Sequence, residues 1–312
     1  MQILFLQLID RRDEIIEVRK KQKLGMKKQL ALFLIIIFAT LTVKGQRDFF
    51  NLQVFNPAYA GCWNTTGAIA TSNHRFVGVD GAELVQVISF QSIIKSEKNG
   101  IGLNLVHENV GLERRISAFA NYSYQFMISK QSTLRVGING GIMNYRNNLM
   151  EYKLYPDRIP DPEFQSNINE YIPNFGLGFY LSSPRYYLSL SVPKFIENKY
   201  DPESTNFFFA GGMIFNLTDN LKFKPTYVTQ SNLDNHFEYD LSGNFLFYDK
   251  IWIGGFYRSN KSIGTVIKWI GFKNLGIGYV FEYSLNDIER FHYGNHELML
   301  SYAMKDMFPK YF

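Results

Sequence analysis

The chain has 312 residues, 33 Lys/Arg against 28 Asp/Glu, and one cysteine, Cys62, so no intramolecular disulfide can form. The formal charge of +5 comes from the front end. Taking the nine basic and four acidic residues of 1–45 away leaves 24 of each sign, which removes the electrostatic case for nucleic-acid binding.

In chain order, Met26-Lys27-Lys28 opens a short basic stretch, and Leu30 to Val43 is an apolar run of signal-peptide length. It is short for a transmembrane helix, which needs about 20 apolar residues. Val43-Lys44-Gly45 offers a cleavage position that leaves Gln46 first. Residues 26–45 are therefore predicted to be a signal peptide, and the charged residues 1–25 an upstream extension with Met26 as the start. The alternative is a cytoplasmic tail on a signal anchor. Residues 46–66 follow as a periplasmic N-terminal segment. Within it Pro57 fixes φ and lacks an N–H, so this stretch resists joining a strand. Tyr59-Ala60-Gly61-Cys62 superficially resembles a lipidation box, but Cys62 is better explained as a packed small hydrophobe.

From Gly67 onward the chain alternates. Ile116, Ala118, Ala120, Tyr122, Tyr124, Phe126 and Ile128 fall on one face. Ser117, Asn121, Ser123 and Gln125 fall on the other, interrupted by Phe119 and Met127. Period two is the signature of a strand greasy on one side and wet on the other. About fourteen such runs occur, at roughly 67–77, 82–94, 100–108, 114–128, 133–147, 171–182, 185–196, 206–217, 221–230, 236–248, 250–258, 262–272, 275–284 and 295–305. Most have the 9–11 residues of a tilted spanning strand, or slightly more. Connections after even-numbered strands are tight, as at Ser182-Ser183-Pro184 and Leu217-Thr218-Asp219-Asn220, whereas those after odd strands include all the long ones, such as 148–170, 197–205 and 284–294. That parity is what an up-and-down transmembrane antiparallel β-barrel requires, with short periplasmic turns and long outer loops. The predicted fold class is thus all-β, a barrel over 67–305 with a short tail, 306–312, and both ends of the barrel chain in the periplasm. Gly102, Gly176, Gly178, Gly276 and Gly278 would face the lumen, or else mark bends in the sheet. Arg75 and Arg258 could face the lumen or anchor at the interface.

No catalytic constellation, cofactor motif or metal-ligand set emerges. His292 and His296 lie four apart, but in loop and strand that spacing is about 13 Å. Asp157, Asp161 and Glu163 form a loop cluster in which calcium is conceivable but a solvated acidic loop suffices.

Asn56-Pro57-Ala58-Tyr59-Ala60-Gly61, soon after the signal peptide, resembles the most recognisable feature of the PorP/SprF family of type IX secretion and gliding-motility outer-membrane proteins. His74-Arg75-Phe76-Val77-Gly78-Val79-Asp80-Gly81-Ala82 resembles a second family stretch, with Phe76 where Trp is usual and a shortened spacing. Weaker matches follow in family order, among them Gly100-Ile101-Gly102-Leu103-Asn104, Pro173-Asn174-Phe175-Gly176-Leu177-Gly178 and His296-Glu297-Leu298-Met299-Leu300. The resemblance implies a non-enzymatic protein in outer-membrane lipid. Its partners would be periplasmic type IX secretion components and a secreted surface adhesin or that adhesin's C-terminal domain. Asn56, Pro57, Ala58, Tyr59, Ala60, Gly61, Arg75 and Gly78 become the candidate partner-binding or plug residues. The competing function is a porin-like channel for small solutes.

Overall fold

The computed structural model describes residues 50–151, 153–154, 159–160, 166–201, 205–231, 237–271, 274–285 and 293–305. Fourteen strands form one closed antiparallel barrel. They are β1 Gly67–His74, β2 Leu84–Ile94, β3 Ser96–Val110, β4 Glu113–Met127, β5 Thr133–Asn147, β6 Ile168–Ser182 and β7 Tyr186–Val192. β8 runs Phe207–Met213, breaks at Ile214 and continues as Phe215–Thr218. Both pieces pair with β9, Leu221–Ser231. The rest are β10 Phe237–Phe247, β11 Ile251–Arg258, β12 Ser262–Ile270, β13 Leu275–Ser284 and β14 Asn295–Ala303. Every strand pairs with its sequence neighbours, and β1 meets β14 in a continuous register from Gly67↔Ala303 to His74↔His296. Closure removes both sheet edges, so the wall offers the membrane no open strand edge.

The alternation sorts side chains between two environments. On β6, Tyr171 and Phe175 are 62% and 54% exposed, while Asn174 and Tyr180 between and beyond them are 5% and 1%. On β4, Ile116, Tyr122 and Phe126 point out, and Asn121 and Ser123 point in, together with Phe119. The apolar face continues around the outside through Ile88, Leu103, Ile138, Leu190, Ile267 and Leu300, all exposed to what surrounds the barrel. An apolar surface of that extent is the lipid-facing wall of a membrane barrel. Among the described residues no helix is long and apolar enough to cross a membrane; the crossing elements are strands.

Turns after even strands are short. β10 and β11 join through the three residues Tyr248, Asp249 and Lys250, the first two with positive φ (52° and 55°), which suits the right-handed twist of the flanking strands. The loops after odd strands include the long ones. Several predicted boundaries move by three or four residues: β1 stops at His74 rather than 77, β3 begins at Ser96 rather than 100, β6 begins at Ile168 rather than 171, and β7 stops at Val192 rather than 196. After β7 the chain leaves the wall early because residues 193–201 fold inward. Tyr200 stacks on the lumen-facing Tyr145 at 4.5 Å, and its carbonyl accepts from Arg115 Nε at 3.2 Å. Lys194 pairs with the buried Asp201 at 2.9 Å. Asp157, Asp161, Glu163, His292 and the C-terminal Tyr311-Phe312 lie outside the described residues. His296 faces outward, its Nδ1 2.7 Å from the Tyr279 hydroxyl.

Candidate functional site

The segment Asn51–Thr65 lies inside the barrel, in the half adjoining the short turns. Asn51, Gln53, Asn56, Ala58, Ala60, Cys62 and Thr65 are all buried. Its shape follows from its sequence. Pro57 opens a single 3-10 turn, Pro57–Tyr59, at the position where a missing N–H costs nothing. Asn56 caps that turn, its Oδ1 accepting from the Ala58 amide at 2.8 Å. Gly61, at φ +75°, then reverses the chain toward β1.

The wall is built to receive this segment. The Asn56 Nδ2 donates to the Phe179 carbonyl at 3.0 Å and to Ser189 Oγ at 2.7 Å. Gln53 Nε2 donates to Asn104 Oδ1 at 2.8 Å and to the Phe90 carbonyl at 3.0 Å, and Asn104 Nδ2 returns a bond to the Gln53 carbonyl at 3.0 Å. Asn51 donates to Ser89 at 2.8 Å, while Ser123 and Ser191 donate to the carbonyls of Ala60 (2.6 Å) and Phe55 (2.7 Å). These pairings satisfy irregular backbone that would otherwise be buried without partners. Arg135, 2% exposed, joins the segment to the wall: one nitrogen meets Ser123 Oγ at 3.2 Å, the other Asn64 Oδ1 at 3.3 Å and the Glu97 carbonyl at 2.8 Å.

Glycines supply the space. A Cβ on Gly102 would lie 2.7 Å from Gln53 Nε2, and one on Gly178 would overlap the Asn56 carboxamide. Gly278 leaves room for the Phe50 ring, and Gly176 for the Pro193 carbonyl. These glycines face the lumen, within unbroken register. Apolar contacts complete the seat. Tyr59 meets Tyr180 edge-on at 5.3 Å, Tyr180 stacks on Tyr187 at 5.8 Å, and Cys62 and Trp63 join the same cluster with Met299 and Ala303. Burial raises the Tyr59 phenol and pushes the Cys62 thiol up to about 12. Both stay neutral, as an apolar seat requires.

The other two candidates lie elsewhere. Arg75 and Gly78 sit in the β1–β2 loop at the opposite end of the barrel. Arg75 pairs with Glu83 at 3.4 Å. Gly78, at φ +98°, packs against the Tyr293 ring, and Tyr293 N donates to the Val77 carbonyl at 2.8 Å. Arg75 braces the β1–β2 loop, Gly78 lets that loop meet Tyr293 of the β13–β14 loop, and neither meets Asn56–Gly61. Arg258 faces the lumen, 3.0 Å from Glu282 and 3.4 Å from Asp240. Sequence reasoning missed Arg135, Gln53, Ser89 and Asn104. For Ser89, Asn104 and Arg135 the only available signal was their position on the polar face of a strand, which many residues share; Gln53 lies in the segment before β1 and carried no signal.

A family model described as type IX secretion system membrane protein PorP/SprF matches residues 46–302, nearly the whole barrel and the segment inside it. The chain belongs to the PorP/SprF family. It is therefore a membrane component of type IX secretion, seated in the outer membrane by this barrel. No curated protein matches the chain in sequence. Among solved structures, a Pseudomonas aeruginosa FadL homologue is 11% identical, over 81% of this chain and 94% of that one, with a TM-score of 0.47. The Acinetobacter baumannii outer membrane protein Omp33 is 6% identical over 77% and 98%, at 0.46. Haemophilus ducreyi BamA lacking POTRA domains 1–3 is 7% identical over 76% and 70%, at 0.39. These likenesses are loose, and the fold assignment for this PorP/SprF protein rests on its own strand pairings.

Proposed function

We propose that this PorP/SprF protein is a non-enzymatic scaffold whose N-terminal segment plugs its own lumen. The end with short turns faces the periplasm and engages type IX secretion components there. The long loops face outward and serve the export or surface attachment of an adhesin-like client, through the client or its C-terminal domain. The plug supports this reading over a solute channel, because side chains of the wall are committed to holding Asn51–Thr65 in the lumen. Tyr200, stacked on the lumen-facing Tyr145, brings residues 194–201 over the other mouth. Loop-length parity supports the orientation.

The test is to purify the tagged protein from its native membrane under gentle detergent, identify what accompanies it, and record its conductance in a planar bilayer. A scaffold brings down secretion components or a large surface protein and conducts no steady current. A bare barrel with a stable open conductance overturns the reading in favour of a porin-like channel.

A further inference from the structure

At the long-loop end the outward face of β4 and β5 carries two arginines directly opposite each other, Arg114↔Arg146. Both are exposed. Directly opposed like charges destabilise a sheet unless something lies between them. The carboxylates of the same strand ends do not help: Glu108 and Glu113 turn to Arg115 on the inner side, at 2.8 and 2.7 Å. Arg114 Nε donates to Asn109 Oδ1 at 3.2 Å, a neutral partner. Among the described residues neither arginine is in an ion pair.

Two residues along β4 on the same outward face stands Ile116, and there the surface becomes apolar and concave. Ala70 and Ala118 are small where Ile88, Leu105 and Leu298 rise around them, leaving a groove of about 680 Å³. His107, opposite Ile116, closes its upper end. A paired cationic site directly above an acyl-sized apolar groove, on the lipid-facing wall, matches one kind of molecule: a membrane lipid with a phosphorylated head. Guanidinium groups clamp phosphate oxygens with two parallel bonds each, which an ammonium cannot do.

We propose that Arg114 and Arg146 bind a phosphate of an outer-leaflet lipopolysaccharide, with one of its acyl chains lying in the Ala70–Ile88–Leu105–Ile116–Ala118 groove. Placing this patch in the outer leaflet rests on the orientation given above. The phosphate relieves the Arg–Arg repulsion, and the fixed lipid gives this side of the barrel a preferred neighbour.

The experiment uses the full protein in detergent, titrated with diphosphoryl lipid A, its dephosphorylated form, phosphatidylglycerol and inorganic phosphate, with thermal unfolding and native mass spectrometry as readouts. Diphosphoryl lipid A is expected to raise the unfolding temperature and remain bound, and R114Q/R146Q to weaken it by at least about tenfold. K130Q, in the exposed turn at the far end, should bind like the parent. Heat-modifiable gel mobility confirms that each variant is folded. Unchanged lipid A binding by R114Q/R146Q, or stabilisation by inorganic phosphate alone, overturns the proposal. So does a preference for phosphatidylglycerol. Orientation is measured separately, by labelling M150C on intact cells with an impermeant maleimide. Labelling without lipid A binding rejects the lipid site alone, and absence of labelling rejects the orientation.

Discussion

Gly137 of β5 and Ala58 of the lumenal segment touch backbone to backbone, with no space for a side chain between them: a Cβ on Gly137 would overlap both the Ala58 nitrogen and its Cα. The seat of the segment is thus defined by an absent methyl group. Gly100 repeats the arrangement against the Ala60 carbonyl.

Gly137→Val should leave the barrel folded and expel the segment. The wall strand tolerates valine well, whereas the segment has no room to retreat. Expected outcomes are retained heat-modifiable mobility, new proteolysis between residues 50 and 65, and a steady conductance absent from the parent. A Gly137→Val protein whose segment stays protected would show that the seat is plastic.

Asn56 makes three buried hydrogen bonds through one carboxamide. Asn56→Ala strands Ser189, the Phe179 carbonyl and the Ala58 amide, and should loosen the segment by about 2–3 kcal/mol. Asn56→Asp keeps the cap but sets a carboxylate against the Phe179 carbonyl, so it should be the more damaging of the two. Hydrogen exchange at Ala58 and Ala60 in the folded barrel gives the ranking.

Cys62 reports the same event chemically. With its thiol buried and raised to about 12 from 9, Cys62 should react with maleimide only when the segment opens, far more slowly than a free thiol at pH 8. The sign follows from the raised value. Stability from the buried thiol is complete below the unfolded value and is lost as pH climbs from about 9 toward 12. Mass spectrometry after timed alkylation should show Cys62 silent in the parent and labelled in Gly137→Val.

Arg115 latches the stretch 194–201 by its bond to the Tyr200 carbonyl while holding Glu108 and Glu113. Arg115→Gln removes the charged donor that gathers these groups, and the loop should open by about 1.5 kcal/mol. Tryptic cleavage at Lys199 should accelerate about tenfold, because cleavage of a rapidly opening loop follows its open population. An unchanged rate would mean that the Tyr145–Tyr200 stack alone holds the loop.

Fourteen strands, their closure by parity and the lumenal glycines were legible in the chain, because period-two alternation and turn chemistry are local properties. Asn56–Gly61 stood out as a motif, and Pro57 excluded it from a strand, yet nothing local told whether it would enter the lumen or hang below it. That depended on Ser89, Asn104, Ser123, Arg135 and Ser189, which come from five different strands and meet only when the barrel closes. Arg258 could not be assigned a face until the register was fixed, since a slip of one residue moves every side chain across the wall. The Arg114–Arg146 pair is invisible for the same reason: 32 residues apart in sequence, they are neighbours only through the β4–β5 register. The sequence by itself determined that this protein is a membrane barrel with polar inside and apolar out, because each strand carries that pattern alone. Only the tertiary structure decided what fills the lumen and which charges face each other, because those contacts are set by closure and register rather than by any one segment.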